Sequence, residues 1–210
     1  MKKELSNEQK GRVLDKIYGY VVDGLPYVDQ PIEDLVIEYK SKYVDTEKAI
    51  QVFVRNQKLK CTTTGFITGL GGVLTLPVTI PADLASSLYI EIRMIAAIAA
   101  MRGYDIHSDA VKTLVYICLV GNAAGDIAKQ VGVKFGEQFA AKKLLPKLSR
   151  ELIVKINQAV GFRLLTRGGT KGLINLGRAL PILGGFVCGS WNFVEVTVFA
   201  NRAKKFFESL

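Results

Sequence analysis

Residues 61–100 read CTTTGFITGLGGVLTLPVTIPADLASSLYIEIRMIAAIAA, with only Asp83, Glu91 and Arg93 charged and with prolines four apart at Pro77 and Pro81. A solvated helix spreads charge along one face, so this stretch is too apolar to be one. A simple membrane span wants about 20 uninterrupted apolar residues, so it is also too broken by Gly and Pro. What remains is a packed helical hairpin, in a protein interior or at a membrane. From Gly65 to Ala82 no residue is charged, yet Gly65, Gly69, Gly71, Gly72, Pro77 and Pro81 interrupt the run. Such breakers need neighbouring helices to satisfy the backbone groups they free.

Pro81 suits the first turn of a helix running through Met101 to a stop at Gly103. On it, Asp83, Ser87 and Glu91 recur every four residues on one face, opposite Leu84, Leu88, Ile92 and Ile95. Residues 94–101 are apolar all round, which predicts burial on every side.

Before this block the chain is conventional. Ser6-Asn7-Glu8-Gln9 is a capping box opening a helix with Val13, Leu14, Ile17, Val21 and Val22 at helical spacing. Gly24-Leu25-Pro26 stops it. Asp29 and Pro31 suit the cap and first turn of a second helix ending near Tyr43. A third starts near Asp45-Thr46 and turns Ile50, Phe53 and Val54 inward. We therefore divide the chain into a soluble helical segment, residues 1–60, and a helical domain, residues 61–210.

Beyond the central block, Ser108 is the expected N-cap of a nearly charge-free helix to about Val120, which Gly121 to Gly125 break. Residues 126–166 read as two basic amphipathic helices separated near Pro146. The segment Arg167 to Gly172 is a loop, lacking the order and spacing of a phosphate-binding P-loop. From Ala179 to Asn201 only Glu195 is charged, and Leu180-Pro181 to Gly184-Gly185 echo the punctuation of residues 69–81. No stretch reads as a strand. The expected fold is all-α, a multi-helix bundle with Gly/Pro-broken apolar helical hairpins.

Charge is unevenly placed. Of 28 basic and 19 acidic residues, residues 129–210 hold 14 and 4, so the whole surplus of +9 belongs to the last third. Such a field favours anionic partners. The basic residues alternate with Leu, Ile, Val and Phe at helical spacing, as on a helix lying against an anionic membrane. No aromatic interleaving or reader fold points to nucleic acid. Mean hydropathy is +0.23, and an apolar share of 49% against 22% charged excludes a disordered chain. The N-terminus has no apolar signal region and neither end a lipidation box, so a cytoplasmic setting is expected. Cys61, Cys118 and Cys188, far apart in apolar surroundings, read as buried reduced thiols.

Several residue sets could in principle carry chemistry. His107, the only histidine, lies between Asp105 and Asp109, where capping explains the same residues without a metal. No GxSxG supplies a serine nucleophile. The acids and arginine in apolar settings, Asp83, Glu91, Arg93 and Glu195, are the site candidates, each needing a partner if buried. An ion-pair network of Arg93 with Asp83 or Glu195 is one reading, and a pocket for a small cation or polar ligand is the other. Five glycine pairs at i, i+4 (Gly65/Gly69, Gly121/Gly125, Gly132/Gly136, Gly168/Gly172, Gly185/Gly189) suggest close helix packing.

Over residues 65–105 the chain resembles the EcsC family of bacterial proteins. The shared features are a glycine-rich segment, the LPVTIPAD step, an apolar helix with an embedded Arg, and the closing Gly103-Tyr104-Asp105. The resemblance implies Gly69, Gly71, Gly72, Pro77, Pro81, Asp83, Arg93 and Gly103 as signature positions. It also implies a setting at the bacterial cytoplasmic membrane, since the family is named for a protein encoded beside an ABC transporter. It supplies no catalytic residue.

Together these readings give a non-enzymatic, membrane-associated factor at the inner face of the cell membrane, with no cofactor and no metal. Its partner would be an anionic lipid surface or a membrane protein. Lys142, Lys143, Lys147, Arg150, Arg163, Arg167 and Lys171 are the expected contacts. Two alternatives stand beside it. One is a small-ligand or metal-binding helical enzyme built on Asp83, Glu91, Arg93 and Glu195. The other is a membrane-inserting or pore-forming effector.

Overall fold

The computed structural model describes residues 6–62, 82–132, 140–166 and 187–208, and these residues are all-α. Helix α1 spans Asn7–Asp23, α2 Ile32–Lys42, α3 Thr46–Thr62, α4 Ala82–Met101 and α5 Asp109–Val120. A 3-10 turn, Gly121–Ala123, leads into α6, Ala124–Gln130. Then come α7, Ala141–Leu144, a second 3-10 turn, Leu145–Lys147, α8, Arg150–Thr166, and α9, Val187–Phe206.

Helix α4 is the axis of the bundle, in contact with α1, α2, α3, α5 and α9. Its sequence explains the position: from Ile92 to Ala99 every side chain is buried, leaving no face for water. Helix α5 is the second interior element, buried without interruption from Thr113 to Val120 and sandwiched between α4 and α8. Helix α4, and the run of α5, the 3-10 turn and α6 taken together, are long and apolar enough to cross a membrane by length and composition. Yet 72% of the window Leu84–Met101 and 67% of Asp109–Gln130 are already buried inside the protein.

The outer helices form as their caps and periodicities dictate. At α1, Gln9 N–H donates to Ser6 Oγ (3.2 Å) and Ser6 N–H to Gln9 Oε1 (2.8 Å), the reciprocal capping box. Its buried stripe, Val13, Leu14, Ile17, Tyr18, Val21 and Val22, faces α4 and α8. Gly24 ends it at φ +77°, and a Cβ there would lie 2.6 Å from the Asp29 carbonyl oxygen, so only glycine fits. The Ser108 hydroxyl caps α5 through the Val111 N–H (3.3 Å), as expected.

Two boundaries differ from expectation. Asp29 does not cap α2: Pro31 holds the N-cap position, and no side chain bonds there. The first basic helix is interrupted, with α6 ending at Gln130 and α7 starting only at Ala141. The final helix carries the charged end, Arg202, Lys204 and Lys205, on to Phe206.

One hydrophobic core runs through the fold, drawing Ile17, Phe53, Ile95, Tyr116, Val160 and Phe207 from six different helices or their ends. The helices of residues 7–62 therefore share their interior with the later ones. Polar ties pin the layers: Tyr18 OH donates to Ile106 O (2.8 Å), Tyr116 OH to Asp15 Oδ1 (3.1 Å), and Thr113 Oγ1 to Asn157 Oδ1 (3.0 Å).

Candidate functional site

Arg93 sits midway along α4 with 2% of its side chain exposed, and its counter-charge is Asp29, 1% exposed, with Oδ2 3.4 Å from Nε. Nη1 donates to Val21 O (3.0 Å), and Nη2 donates to Gln30 O (2.7 Å). Tyr89 OH, one turn earlier on α4, donates to Asp29 Oδ2 (3.4 Å). A buried guanidinium must be both paired and hydrogen-bonded, and here the last turn of α1 and the α1–α2 connection wrap around it to do both. Arg93 is thus a clamp that fixes the end of α1 and the loop Leu25–Gln30 onto the central helix.

Beside the clamp is a cavity of about 570 Å³, lined by Asp29, Gln30, Tyr39, Asn56, Gln57 and Arg93 among others. Asn56 Nδ2 donates to Tyr39 OH (2.8 Å) across it. Gln57, 7% exposed, makes no side-chain hydrogen bond with a described residue. Arg93 spends both terminal nitrogens on backbone carbonyls, so it offers little to a substrate. Desolvation by burial pushes the Tyr89 hydroxyl well above its ordinary pKa, so it stays a neutral donor and not a base.

Of the four expected site residues, Arg93 and Glu91 have described side chains, and of these two Arg93 has this environment. Glu91 is half-buried two residues away and points to a different sector of α4. The backbones of Asp83 and Glu195 belong to α4 and α9, while their side chains lie outside the described residues. Asp29, read as a helix cap, is the carboxylate that the sequence did not assign to Arg93. Of the signature positions, Gly69, Gly71, Gly72, Pro77 and Pro81 lie outside the described residues, whereas Gly103 closes α4 at φ +90°.

Arg102, just beyond α4, was also missed. Its Nη1 donates to Lys204 O (2.5 Å) and Phe207 O, and its Nη2 to Glu47 Oε1 (2.5 Å), so one cation serves the carbonyl end of α9 and the start of α3. His107 Nε2 lies 2.9 Å from Glu33 Oε1 in solvent. Among the described residues no three His, Cys, Asp or Glu side chains are grouped to hold a metal ion. Burial pushes the Cys118 thiol up to about 12, against the opposing pull of Arg202, which leaves it protonated and inert.

The basic residues behave differently. Lys142 and Lys143 on α7, Lys147 in the second 3-10 turn and Arg150 at the start of α8 are all exposed. None of these four pairs with a described carboxylate. Arg163, by contrast, reaches Asp126 (3.5 Å). Arg167 and Lys171 lie outside the described residues. One turn along from Arg150 on the same helix, Val154 is half exposed.

Compared with protein-family models, curated proteins and solved structures, the chain matches none.

Proposed function

We propose that this protein is a non-enzymatic factor that docks on an anionic membrane surface through the α7–α8 segment. The observation that carries the reading is the set Lys142, Lys143, Lys147 and Arg150: four exposed cations within nine residues, none neutralised by a described carboxylate. Cations held near an anionic bilayer contribute about 1 kcal/mol each, so four suffice for reversible attachment when the protein's other surfaces are indifferent. Exposed Val154 gives the same helix an apolar contact for the lipid boundary.

Docking at the surface is favoured over spanning because the two stretches long and apolar enough to span, Leu84–Met101 and Asp109–Gln130, are mostly buried inside the bundle. Removing α4 to a bilayer would expose the partners it packs against and leave Asp29 without Arg93. The resemblance to the EcsC family supports the inner face of a bacterial cytoplasmic membrane as the setting, and a membrane protein there is the natural co-partner.

Co-sedimentation with vesicles tests this. In the variant K142Q/K143Q/K147Q/R150Q, binding to vesicles rich in phosphatidylglycerol should fall by about a hundredfold or more at low salt, from about 1 kcal/mol per charge. Equal binding by variant and parent protein would refute it.

A further inference from the structure

A second cavity, about 370 Å³, opens where the C-terminal end of α5 meets α9, and nothing in the reading above uses it. Its wall is cationic on one side. Arg202 Nη1 donates to Leu119 O (3.2 Å) and Cys118 O (3.4 Å), and the guanidinium lies over the Phe199 ring at 5.2 Å. These contacts orient the group, but its Nε and Nη2 donors make no hydrogen bond with a described residue. Lys205, three residues on and so nearly one turn along the same helix, is exposed and also lines the cavity. Neither cation pairs with a described carboxylate.

The backbone is shaped around this arrangement. Gly121 ends α5 at φ +56°, and a Cβ there would lie 2.4 Å from Arg202 Cζ. Only glycine lets the guanidinium lie against the helix end. Apart from exposed Asn122 the rest of the lining is apolar or glycine, with buried Phe206, Ala124 and Cys118, and Gly125 leaves open space where its Cβ would be. Two unneutralised cations at one end and hydrocarbon at the other match one ligand chemistry. A phosphate monoester takes a planar guanidinium fork and a second cation, and an acyl chain takes the apolar wall.

We propose that this cavity binds the headgroup of a phosphate-headed lipid, with the phosphate between Arg202 and Lys205 and the first methylenes against Phe206 and Ala124. The proposal rests on the membrane-surface reading for the source of its ligand, but its test needs no membrane. Dioctanoyl phosphatidic acid, kept below its aggregation concentration, is titrated calorimetrically into the full chain, alongside inorganic phosphate.

Arg202→Gln would also remove a cap from α5, so two other variants decide. Lys205→Gln removes an exposed charge and should weaken the lipid about tenfold, the loss expected of one charge-assisted contact. Gly125→Leu fills the cavity, keeps both cations and improves helix propensity; it should abolish lipid binding with the circular dichroism spectrum unchanged. Absence of heat with the parent protein, or undiminished lipid binding in Gly125→Leu, would overturn the proposal. So would equal affinity for lipid and inorganic phosphate, which would make this a free-phosphate site. A K142Q/K143Q/K147Q/R150Q variant that loses vesicles yet binds the soluble lipid as the parent does supports the cavity and separates it from α7–α8 docking.

Discussion

Arg93 is a charge in the middle of an apolar helix, and every group that excuses its presence comes from the end of α1 and the loop after it: Val21 O, Gln30 O and the Asp29 carboxylate. Replacing Asp29 by Asn leaves a buried guanidinium with no counter-charge, and breaking such a pair from one side costs about 3–5 kcal/mol. Urea denaturation should show that loss for Asp29→Asn, and a much smaller one for the apolar double variant Asp29→Leu/Arg93→Met. A loss below about 1 kcal/mol in Asp29→Asn would mean the pair does not hold the loop. Arg93 was legible in the sequence because a lone cation in an apolar helix requires a partner. Asp29 was not, because an Asp two residues before a Pro and a helix reads equally well as a cap. Nothing local marks a carboxylate whose partner is sixty-four residues away. Arg102 and Arg202 were hidden for the same reason, as each acts on carbonyl ends of helices distant in sequence.

Among the elements, α1 and α8 show how a glycine decides a crossing. A Cβ on Gly161 would lie 3.2 Å from Gly11 N and 3.3 Å from Gly11 Cα, so the two helix backbones touch with no side chain between them. Gly161→Leu must push α1 off α8, an overpacking cost of about 1–3 kcal/mol. Gly19, also in α1, has nothing within 4 Å of its Cβ position. There Gly19→Ala should stabilise by roughly 0.5–1 kcal/mol through helix propensity alone. Thermal melts of the two variants should move in opposite directions, and a shared direction would contradict the crossing. The Gly11/Gly161 contact was not among the i, i+4 glycine pairs read from the sequence. Of those pairs, Gly121 serves instead to admit Arg202, and Gly125 faces open space. Helix existence was legible from caps and period, as at Ser6, Gly24 and Ser108. The end of α6 at Gln130 was not, because the apolar spacing of residues 126–146 suits one uninterrupted helix.

At the scale of the molecule, one core built around two interior helices has a consequence in alkali. Desolvation by burial raises the Tyr18, Tyr89 and Tyr116 hydroxyls above their ordinary 10.0, and the Cys118 thiol from 9.0 to about 12. These groups stay protonated in the folded chain while the unfolded chain releases its protons. Stability is therefore fully present below about pH 9 and is lost as pH rises through the raised values. The melting temperature should hold steady across neutral pH and fall steadily above about pH 9. A flat profile to about pH 11 would contradict the burial of these four groups. The same core leaves α7 and the start of α8 as a basic exterior, so the surplus charge of the last third meets solvent where it is unopposed. The most direct measurement of the surface-docking claim is flotation of the protein with anionic and with neutral vesicles at low and high salt. Flotation with anionic vesicles alone, abolished by salt, is the expected result. Flotation that survives high salt, or occurs equally with neutral vesicles, would mean that apolar helices leave the bundle and insert. No flotation under any condition would contradict membrane docking altogether.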